Sequence, residues 1–406
     1  MNYSNSENLN MKYNFIDLFC GAGGMSAGFI KAGMNCLVGI DFYKPSIETF
    51  KKNHKNAIAI HDDIKKISVE EIKKKIKNKK VHIICGGPPC QGFSTIGTNN
   101  VKDSRNHLFL DFVRFVKGFK PEIVVMENVT GLLAIKNNNT LKSIFRCFET
   151  LGYRLDIKVL SSNHYGVPQI RRRVILIGNR INVNNRYPIK KFRNIDEKDL
   201  KLAKSITVGD AFKAINKFKK NLTNHDIDKA QISNLLDLNR IGFVPEGKFI
   251  RYEKDEKKYL PKKLWYKHDW NKIDEKRFRE AKYHRLDRSK PSPTIVTSRT
   301  MYYHPTENRY LTTREAASLQ SFPLDFEFCG NITSQWTQIG NAVPFRMAFE
   351  IAKCLKEMLK DKKKTTNKDI SLGSDNIETV RSLAFNYEKD IYLFKEKKFK
   401  QLELPI

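Results

Sequence analysis

The chain has 406 residues, with 74 Lys and Arg against 44 Asp and Glu, which gives a formal net charge of +30. This length accommodates one large domain and a smaller one, and the charge favours a polyanionic partner, although a lysine-rich composition alone also produces such a surplus. The sequence has no apolar leader and no run of about 18 uncharged apolar residues, so we expect a cytoplasmic protein with no membrane partner.

The seven cysteines indicate a reduced protein rather than a disulfide framework. They form no CxxC pair, and no histidine stands at metal-ligand spacing from any of them. Zinc sites usually show such spacing, and disulfide frameworks belong mainly to small, cysteine-dense secreted chains, so the sequence argues against both. We therefore expect no bound metal.

Short apolar runs alternate with amphipathic helical patterns from residue 14 to residue 178. The runs are "NFIDLF", "CLVGID", "AIAIHDD", "VHIICGG", "EIVVMEN", "YRLDIKVL" and "RVILIG". This alternation predicts an open α/β sheet of buried, mostly parallel strands joined by crossover helices. Ligands of such sheets bind beyond the carboxyl ends of the strands, and these ends carry Asp17, Asp41, Asp63, Cys90 and Glu127.

The first strand leads into the glycine loop "DLFCGAGGMSAGF". This loop departs from the dinucleotide pattern GxGxxG because Ser26 stands at the third glycine position. A glycine turn followed by Asp41 suits a nucleoside, since the carboxylate can bind the ribose hydroxyls. A tight turn without a ligand is the alternative. Asp63 could accept a hydrogen bond from an adenine amino group or simply cap a helix.

Cys90 and Glu127 follow the fourth and fifth strands, which are neighbours in a sheet of this type. The two prolines of "GGPPCQGFS" stop any helix or strand there and place Cys90 on a stiff turn. A thiolate can add to carbon 6 of a pyrimidine while a protonated carboxyl donates to nitrogen 3, so that carbon 5 can take a methyl group from a sulfonium donor. A small core residue is the alternative for a lone cysteine.

After about residue 180 the sequence becomes polar and lysine-rich, which indicates a separate binding domain. The aromatic residues between 240 and 270 either read bases or pack a small core, and we favour the core for most of them. Near the end, "TREAASLQSFP" and "SQWTQIGNAVPFRMAFEIAKCLKEMLK" return to an amphipathic helical pattern. We expect the apolar face of these segments to pack back on the first domain.

Six segments together resemble, in order and spacing, the motif series of the DNA cytosine-5 methyltransferases. They are "FIDLFCGAGG", "GGPPCQGFS", "MENVTGLL", "NHYGVPQIRRRVILIG", "TREAASLQSFP" and "QIGNAVP", and the resemblance covers residues 15 to 180 and about 285 to 355. It implies the class I methyltransferase fold, with a Rossmann-like, mostly parallel seven-stranded sheet, and S-adenosylmethionine as cofactor. It also implies specific double-stranded DNA as substrate and a bacterial restriction-modification setting, with a cognate restriction endonuclease as partner and a monomeric enzyme.

The resemblance also implies roles for individual residues. Cys90 matches the nucleophile and Glu127 the proton donor to nitrogen 3, while Arg173 matches the ligand of oxygen 2 of the flipped cytosine and Arg171 the arginine beside the acid. The matched cofactor-binding residues are Phe19, Gly21, Gly23, Asp41, Asp63, Ile64, Asn341 and Val343. The doubled acid in "HDDI" leaves the choice between Asp62 and Asp63 open.

The same resemblance divides the chain. Residues 12–180 form the catalytic, cofactor-binding domain, which residues 335–360 complete, and residues 181–334 form a target-recognition domain. Residues 361–406 are an extension of unknown role. The polar, glycine-containing stretch after Cys90 suits a lid that closes over a base taken out of the duplex.

Two alternatives from other classes remain open. The first keeps the chemistry but takes transfer RNA as substrate, although "GFS" after the "PPCQ" motif favours DNA. The second is a silent binding module or an acyl-transfer enzyme that pairs Cys90 with His107 or His164. Glu127 and the arginine pair have no purpose in acyl transfer, so we favour methyl transfer.

Overall fold

The computed structural model describes residues 13–89, 105–134, 137–218, 222–266, 270 and 283–362. Cys90, the predicted lid and the extension beyond residue 362 lie outside the described residues, as do the side chains of 105–107.

Seven strands form one sheet in the order β3-β2-β1-β4-β5-β7-β6. Their bounds are β1 (Tyr13–Leu18), β2 (Met34–Asp41), β3 (Ile58–His61), β4 (Ile83–Gly86), β5 (Ile123–Val129), β6 (Arg154–Ser161) and β7 (Arg172–Asn179). All seven apolar runs are strands, and the predicted α/β fold with a mostly parallel seven-stranded sheet is confirmed.

The exception to the parallel arrangement is β7, which is antiparallel to both of its neighbours, β5 and β6. The connection from β6 to β7 is the short segment 162–171, which contains only a 3-10 turn at Ser162–Tyr165. A parallel return would need a longer crossover, usually a helix, so the chain turns back beside β6 instead. This hairpin brings the arginines at the start of β7 next to the end of β5.

Helices cover both faces of the sheet and extend beyond it. Their bounds are α1 (Gly24–Lys31), α2 (Lys44–Asn53), α3 (Val69–Lys75), α4 (Arg105–Phe119), α5 (Asn138–Thr150), α6 (Val208–Asn216), α7 (Leu235–Phe243), α8 (Glu253–Tyr259), α9 (Thr313–Leu319), α10 (Ile332–Asn341) and α11 (Phe345–Asp361). None of the described helices is long and apolar enough to cross a membrane.

Neighbouring residues of β1 point to two different cores, as strand geometry requires. Ile16 packs in the cluster that contains Phe112 of α4 and Phe145 of α5. Phe15 packs in the opposite cluster, with Phe29 of α1 and Met347 of α11. The last helix therefore covers the same face of the sheet as α1, which confirms that the C-terminal helical pattern packs back on the first domain.

The second half of the chain has two cores of its own. One joins α6, α9 and α10 to the glycine loop and α1 through Ala22 and Ala27. The other is a small cluster built on Ile241 of α7, against which Trp265 and Tyr266 pack. This supports core packing for these aromatic residues, whereas Phe243 is 50% exposed. Four two-residue strands complete the fold: β8 (Phe192–Arg193), β9 (Ala203–Lys204), β10 (His284–Arg285) and β11 (Tyr302–Tyr303).

Candidate active site

A cavity of about 520 Å³ lies at the carboxyl ends of β1, β2, β4 and β5. This volume is in the range of sites that enclose small ligands and cofactors, about 300–1,000 Å³. The structure brings together most of the site residues that the sequence predicts within the described ranges. Those that line this cavity are Phe19, Gly21, Asp41, Glu127, Arg171, Arg173, Asn341 and Val343.

Three predicted cofactor residues do not line this cavity. Gly23 lies in the loop beside it, and a Cβ atom there would overlap the ring of His54. Ile64 is 4% exposed and packs in the sheet core. Asp63 accepts a hydrogen bond from the backbone nitrogen of Lys65 at 3.1 Å, in a local turn. The adenine contacts of Asp63 and Ile64 stay predictions.

The glycine loop depends on backbone angles that few residues adopt. The φ angles of Phe19, Gly21 and Gly23 are 59°, 55° and 88°, all in the left-handed region. Glycine adopts such angles without strain, but Phe19 does not, and strained residues of this kind occur at functional sites. The loop thereby exposes its backbone to the cavity.

Asp41 fixes the loop and the start of the next helix. Its Oδ2 atom accepts from the backbone nitrogen of Gly21 at 2.8 Å, and its Oδ1 atom accepts from that of Tyr43 at 2.8 Å. Burial raises the pKa of Asp41, while these hydrogen bonds lower it. The carboxylate is therefore held in one orientation at the cavity wall.

The structure adds lining residues that the sequence did not identify. Phe42 and Tyr43 follow Asp41, and Phe42 is 72% exposed, so its ring is available to a ligand. Thr337 and Gln338 precede Asn341 by one helical turn on α10. Residues three and four positions before Asn341 share its face of the helix, so helical spacing predicts both Thr337 and Gln338. For Phe42, the signal in the sequence was an aromatic residue directly after a strand-end carboxylate.

Glu127 and Arg173 form the charged centre at the other end of the cavity. Arg173 Nε lies 2.7 Å from Glu127 Oε1, and the two side chains are 14% and 12% exposed. In the antiparallel ladder Arg173 is opposite Val129, two residues from Glu127, so the pair is a diagonal contact on one face of the sheet. Burial raises the pKa of Glu127 above its ordinary value, although Arg173 and Arg171 both oppose that rise.

Arg171, which the resemblance places beside the acid, acts on the charge of Glu127 without contacting it directly. It is 1% exposed, and its guanidinium donates to the carbonyl oxygens of Ile295 at 3.1 Å and Gly340 at 2.7 Å. Burial lowers the pKa of Arg171 to about 9. The arginine in direct contact with the acid is thus Arg173, because Arg171 precedes β7 and reaches toward α10 instead.

The turn that leads to Cys90 passes directly beside the acid. A Cβ atom on Gly87 would lie 3.2 Å from Glu127 Oε2, so glycine allows the backbone to approach the carboxyl. The side chain of Asn128 donates to the carbonyl oxygen of Pro88 at 2.9 Å, which ties the turn to β5. Cys90 itself lies outside the described residues, and its role stays a prediction.

A larger cavity of about 760 Å³ lies between α6 and residues 304–309. Its Arg309 is already engaged by two acids, since it pairs with Glu315 and Glu307 at 2.8 Å each. The smaller cavity brings together the residues with the chemistry that the sequence predicts, and we take it as the candidate active site.

Two other observations concern the alternatives. Within the described ranges, no group of three or more His, Cys, Asp or Glu side chains could hold a metal ion. His164 is fully buried in the turn after β6 and is not among the residues that line the candidate site. An acyl-transfer pair of Cys90 with His164 therefore gains no support from the geometry.

A family model described as C-5 cytosine-specific DNA methylase matches residues 13–357. The chain belongs to this family. It is a DNA cytosine methyltransferase, and the match spans the sheet, the candidate site and helices α6 to α10, as well as most of α11.

Several curated relatives share a third of their residues with the chain. The Type II methyltransferase M1.HphI of Haemophilus parahaemolyticus is 34% identical, in an alignment that covers 86% of this chain and 88% of the relative. The Type II methyltransferase M.DdeI of Desulfomicrobium norvegicum is 34% identical, with 84% of this chain and 87% of the relative covered.

Solved structures have the same fold. One is a proposed DNA modification methyltransferase encoded within a prophage, from E. coli, with a TM-score of 0.65 and 25% identity over 86% of this chain and 100% of that one. DNMT2 of Spodoptera frugiperda superposes with a TM-score of 0.55 at 16% identity, covering 85% of this chain and 100% of that one. The second likeness shows the fold alone.

Proposed function

We propose that this methyltransferase takes a target cytosine out of a specific double-stranded DNA sequence and methylates carbon 5 through a covalent bond between Cys90 and carbon 6. The observation that carries the proposal is the position of Glu127 and Arg173, in one cavity with the glycine loop and directly beside the turn that leads to Cys90. An acid and a cation beside the turn that leads to a thiol match the needs of addition to a pyrimidine.

The candidate site fits S-adenosylmethionine as cofactor. The exposed backbone of the glycine loop allows close approach, Asp41 can bind ribose hydroxyls, and the exposed ring of Phe42 offers a surface for adenine. We assign Asn341 and Val343 to the methionine end, and Asp63 and Ile64 to adenine contacts. When bound, this cofactor supplies an electrophilic methyl group.

The residues on the base side have distinct tasks in this proposal. The Cys90 thiolate adds to carbon 6 while Glu127, whose burial raises its pKa and so favours the protonated form, protonates nitrogen 3. The addition makes carbon 5 nucleophilic toward a methyl group. After transfer, the carbon 5 proton passes to a base such as water, the carbon 6 to sulfur bond breaks to release the Cys90 thiolate, and nitrogen 3 returns its proton to Glu127. Arg173, once its contact with Glu127 loosens, can donate to oxygen 2 of the base.

The proposal of a sequence-specific DNA substrate is supported by the second half of the chain and by the relatives. We assign residues 181–334 to target recognition, the catalytic part to 12–180 with 335–360, and leave 361–406 without a role. The relatives are named Type II methyltransferases, so we propose a restriction-modification setting with a cognate endonuclease and a monomeric enzyme.

Covalent trapping tests the mechanism and the substrate together. With 5-fluorocytosine in duplex DNA, the fluorine cannot leave as a proton does, so the Cys90 adduct accumulates and migrates as a stable protein-DNA complex. We expect trapping by the wild type and none by Cys90→Ser, which should still bind the cofactor. Trapping on transfer RNA but not on DNA would overturn the DNA substrate. Bisulfite sequencing of DNA from expressing cells then identifies the recognition sequence.

A further inference from the structure

A third cavity, which neither the base chemistry nor the proposed cofactor uses, has a volume of about 270 Å³. It lies where the turn between β6 and β7 meets α6, α9 and the start of α11, and we refer to it as the Arg346 cavity. It shares no described lining residue with the candidate active site. Among the described residues that line it, the charged side chains are Arg346 and Asp210.

Arg346 brings a positive charge into this cavity without a negative partner. None of the described acids forms an ion pair with it, and burial alone lowers the pKa of its guanidinium. A Cβ atom on Gly166 would lie 3.0 Å from the Arg346 Nη1 atom, so the guanidinium packs against the backbone of the turn after β6. A half-buried cation without a counter-charge is unfavourable unless a ligand or water supplies acceptors.

Asp210 does not neutralise this charge. It is the third residue of α6, and its carboxylate accepts from the backbone nitrogen of Thr207 at 3.0 Å and from the Thr207 hydroxyl at 2.9 Å. These contacts belong to a capping box at the start of α6. The carboxylate is thus engaged by its own helix, and it does not act on the pKa of Arg346.

Two hydroxyl groups and a helix end add hydrogen-bond donors around Arg346. Ser318 is 7% exposed, and its hydroxyl has no hydrogen-bond partner among the described residues. The Ser321 hydroxyl accepts from the backbone nitrogen of Arg346 at 3.1 Å, and a hydroxyl that accepts in this way can still donate its proton. Phe345 and Arg346 begin α11, a helix of 17 residues whose amino end carries a partial positive charge. Because a buried hydroxyl without a partner costs free energy, Ser318 indicates a missing acceptor.

We propose that the Arg346 cavity binds one oxyanion of the phosphate class, which accepts hydrogen bonds from the Arg346 guanidinium and the Ser318 hydroxyl at the amino end of α11. Arginine and helix amino ends are common partners of phosphate in proteins. The cavity is smaller than typical cofactor sites, which measure about 300–1,000 Å³, and this favours a single small anion. A phosphate ion in solution and a phosphate group of the DNA backbone present the same chemistry. The inference goes beyond the proposed function, because it needs neither Cys90 nor the cofactor.

Denaturation of the full chain at constant pH and ionic strength tests the site. Replacement of chloride by inorganic phosphate should raise the wild-type denaturation midpoint progressively, because a ligand that binds only the folded chain stabilises it. In calorimetry, Arg346→Gln should bind inorganic phosphate about tenfold to a hundredfold more weakly than the wild type, since it loses charged hydrogen bonds. Ser318→Ala should bind it about two- to tenfold more weakly, since it loses one neutral donor.

Arg186→Gln is the matched control. It also removes one positive charge, but Arg186 pairs with Asp361 at 2.6 Å, at the other end of α11. The general attraction of a chain of net charge +30 for anions should fall equally in both variants, so only Arg346→Gln should lose the specific response. Should Arg346→Gln fail to fold, Ser318→Ala decides in the same way, because it removes a hydroxyl that bonds no described residue.

Duplex DNA identifies the source of the oxyanion. If a backbone phosphate occupies the cavity, Arg346→Gln should weaken DNA binding more than Arg186→Gln does, and should reduce the slope of log affinity against log salt by about 0.9. If a free ion occupies the cavity, the two variants should bind DNA equally, and inorganic phosphate should stabilise the wild type specifically. Either result supports the inference. Equal responses of the wild type, Arg346→Gln, Ser318→Ala and Arg186→Gln to phosphate, together with equal DNA affinities of the variants, would overturn it.

Discussion

Glu127 is subject to two opposing influences within one cavity. Its side chain is 12% exposed, which raises its pKa, while Arg173 at 2.7 Å favours the ionised form. The net direction is upward, so the proton is retained to higher pH than in an ordinary glutamate. A base that draws Arg173 toward its oxygen 2 would weaken this ion pair and strengthen the tendency of Glu127 to hold a proton.

Glu127→Gln tests this acid directly. We expect methyl transfer to slow by about 100- to 10,000-fold, the usual contribution of a positioned proton donor. The wild-type rate should fall as the pH rises through the pKa of Glu127, because the ionised form has no proton to donate, and the variant should lack that fall. Single-turnover rates over a pH series provide the measurement, and a loss below tenfold would count against the role.

The residues of the site differ in how well the sequence predicts them. Asp41 and Glu127 end buried apolar runs, so their positions at the cavity follow from the strand pattern. The contact of Arg173 with the acid depends on the diagonal register of β5 and β7, which sequence alone does not define. Phe42 was missed because its one signal is its position after a strand-end carboxylate, and an exposed aromatic residue there belongs to no periodic pattern.

At the level of elements, the close packing of α1 against α11 requires a glycine at position 28. A Cβ atom on Gly28 would lie 2.6 Å from the Ala348 Cβ and 2.7 Å from the Phe345 carbonyl oxygen. Both helices carry parts of the site, since the glycine loop precedes α1 and the segment with Asn341 precedes α11. Their separation therefore controls the distance between two walls of the cavity.

Gly28→Ala should destabilise the protein by about 1–3 kcal/mol, the usual cost of excess volume in a packed interface. The matched control is Gly242→Ala, because Gly242 is also helical but its Cβ atom would meet only Asn308 Nδ2 at 3.5 Å. There we expect a gain of up to about 1 kcal/mol from improved helix propensity. Chemical denaturation measures both, and equal effects of the two substitutions would contradict the close packing.

The elements themselves were largely predictable, as was the neighbourhood of β4 and β5, but the place of β7 between β5 and β6 was not. Strands buried on both faces have continuous apolar runs, which made most of the seven visible in the sequence, whereas β3 is partly exposed and β6 alternates between buried and half-buried residues. The direction of β7 leaves no trace in such a run, because an apolar strand reads the same in either direction. Only the short β6 to β7 connection indicates the hairpin.

In the whole molecule, distant parts of the chain meet at Arg171. Its guanidinium joins the start of β7 to the carbonyl of Ile295 in the second half of the chain and to that of Gly340 on α10. The sequence predicted that residues 335–360 complete the catalytic part, but not that an arginine makes this connection. The two contacts join residues that are 124 and 169 positions apart in the sequence, so they depend on the final packing of the chain.

Arg171→Ala should therefore affect stability as well as activity, whereas Arg173→Ala should affect mainly activity. Removal of Arg171 leaves two carbonyl oxygens without this donor, at about 1–3 kcal/mol each if they stay buried. Arg173 is more exposed and bonds an acid at the cavity wall, so its loss should cost less stability while it raises the pKa of Glu127 further. Denaturation midpoints, measured with cofactor-free protein, compare the two variants. Equal destabilisation by both substitutions would show that Arg171 does not hold β7, Ile295 and α10 together. A stable but inactive Arg171→Ala protein would instead assign Arg171 a role in binding the base alone.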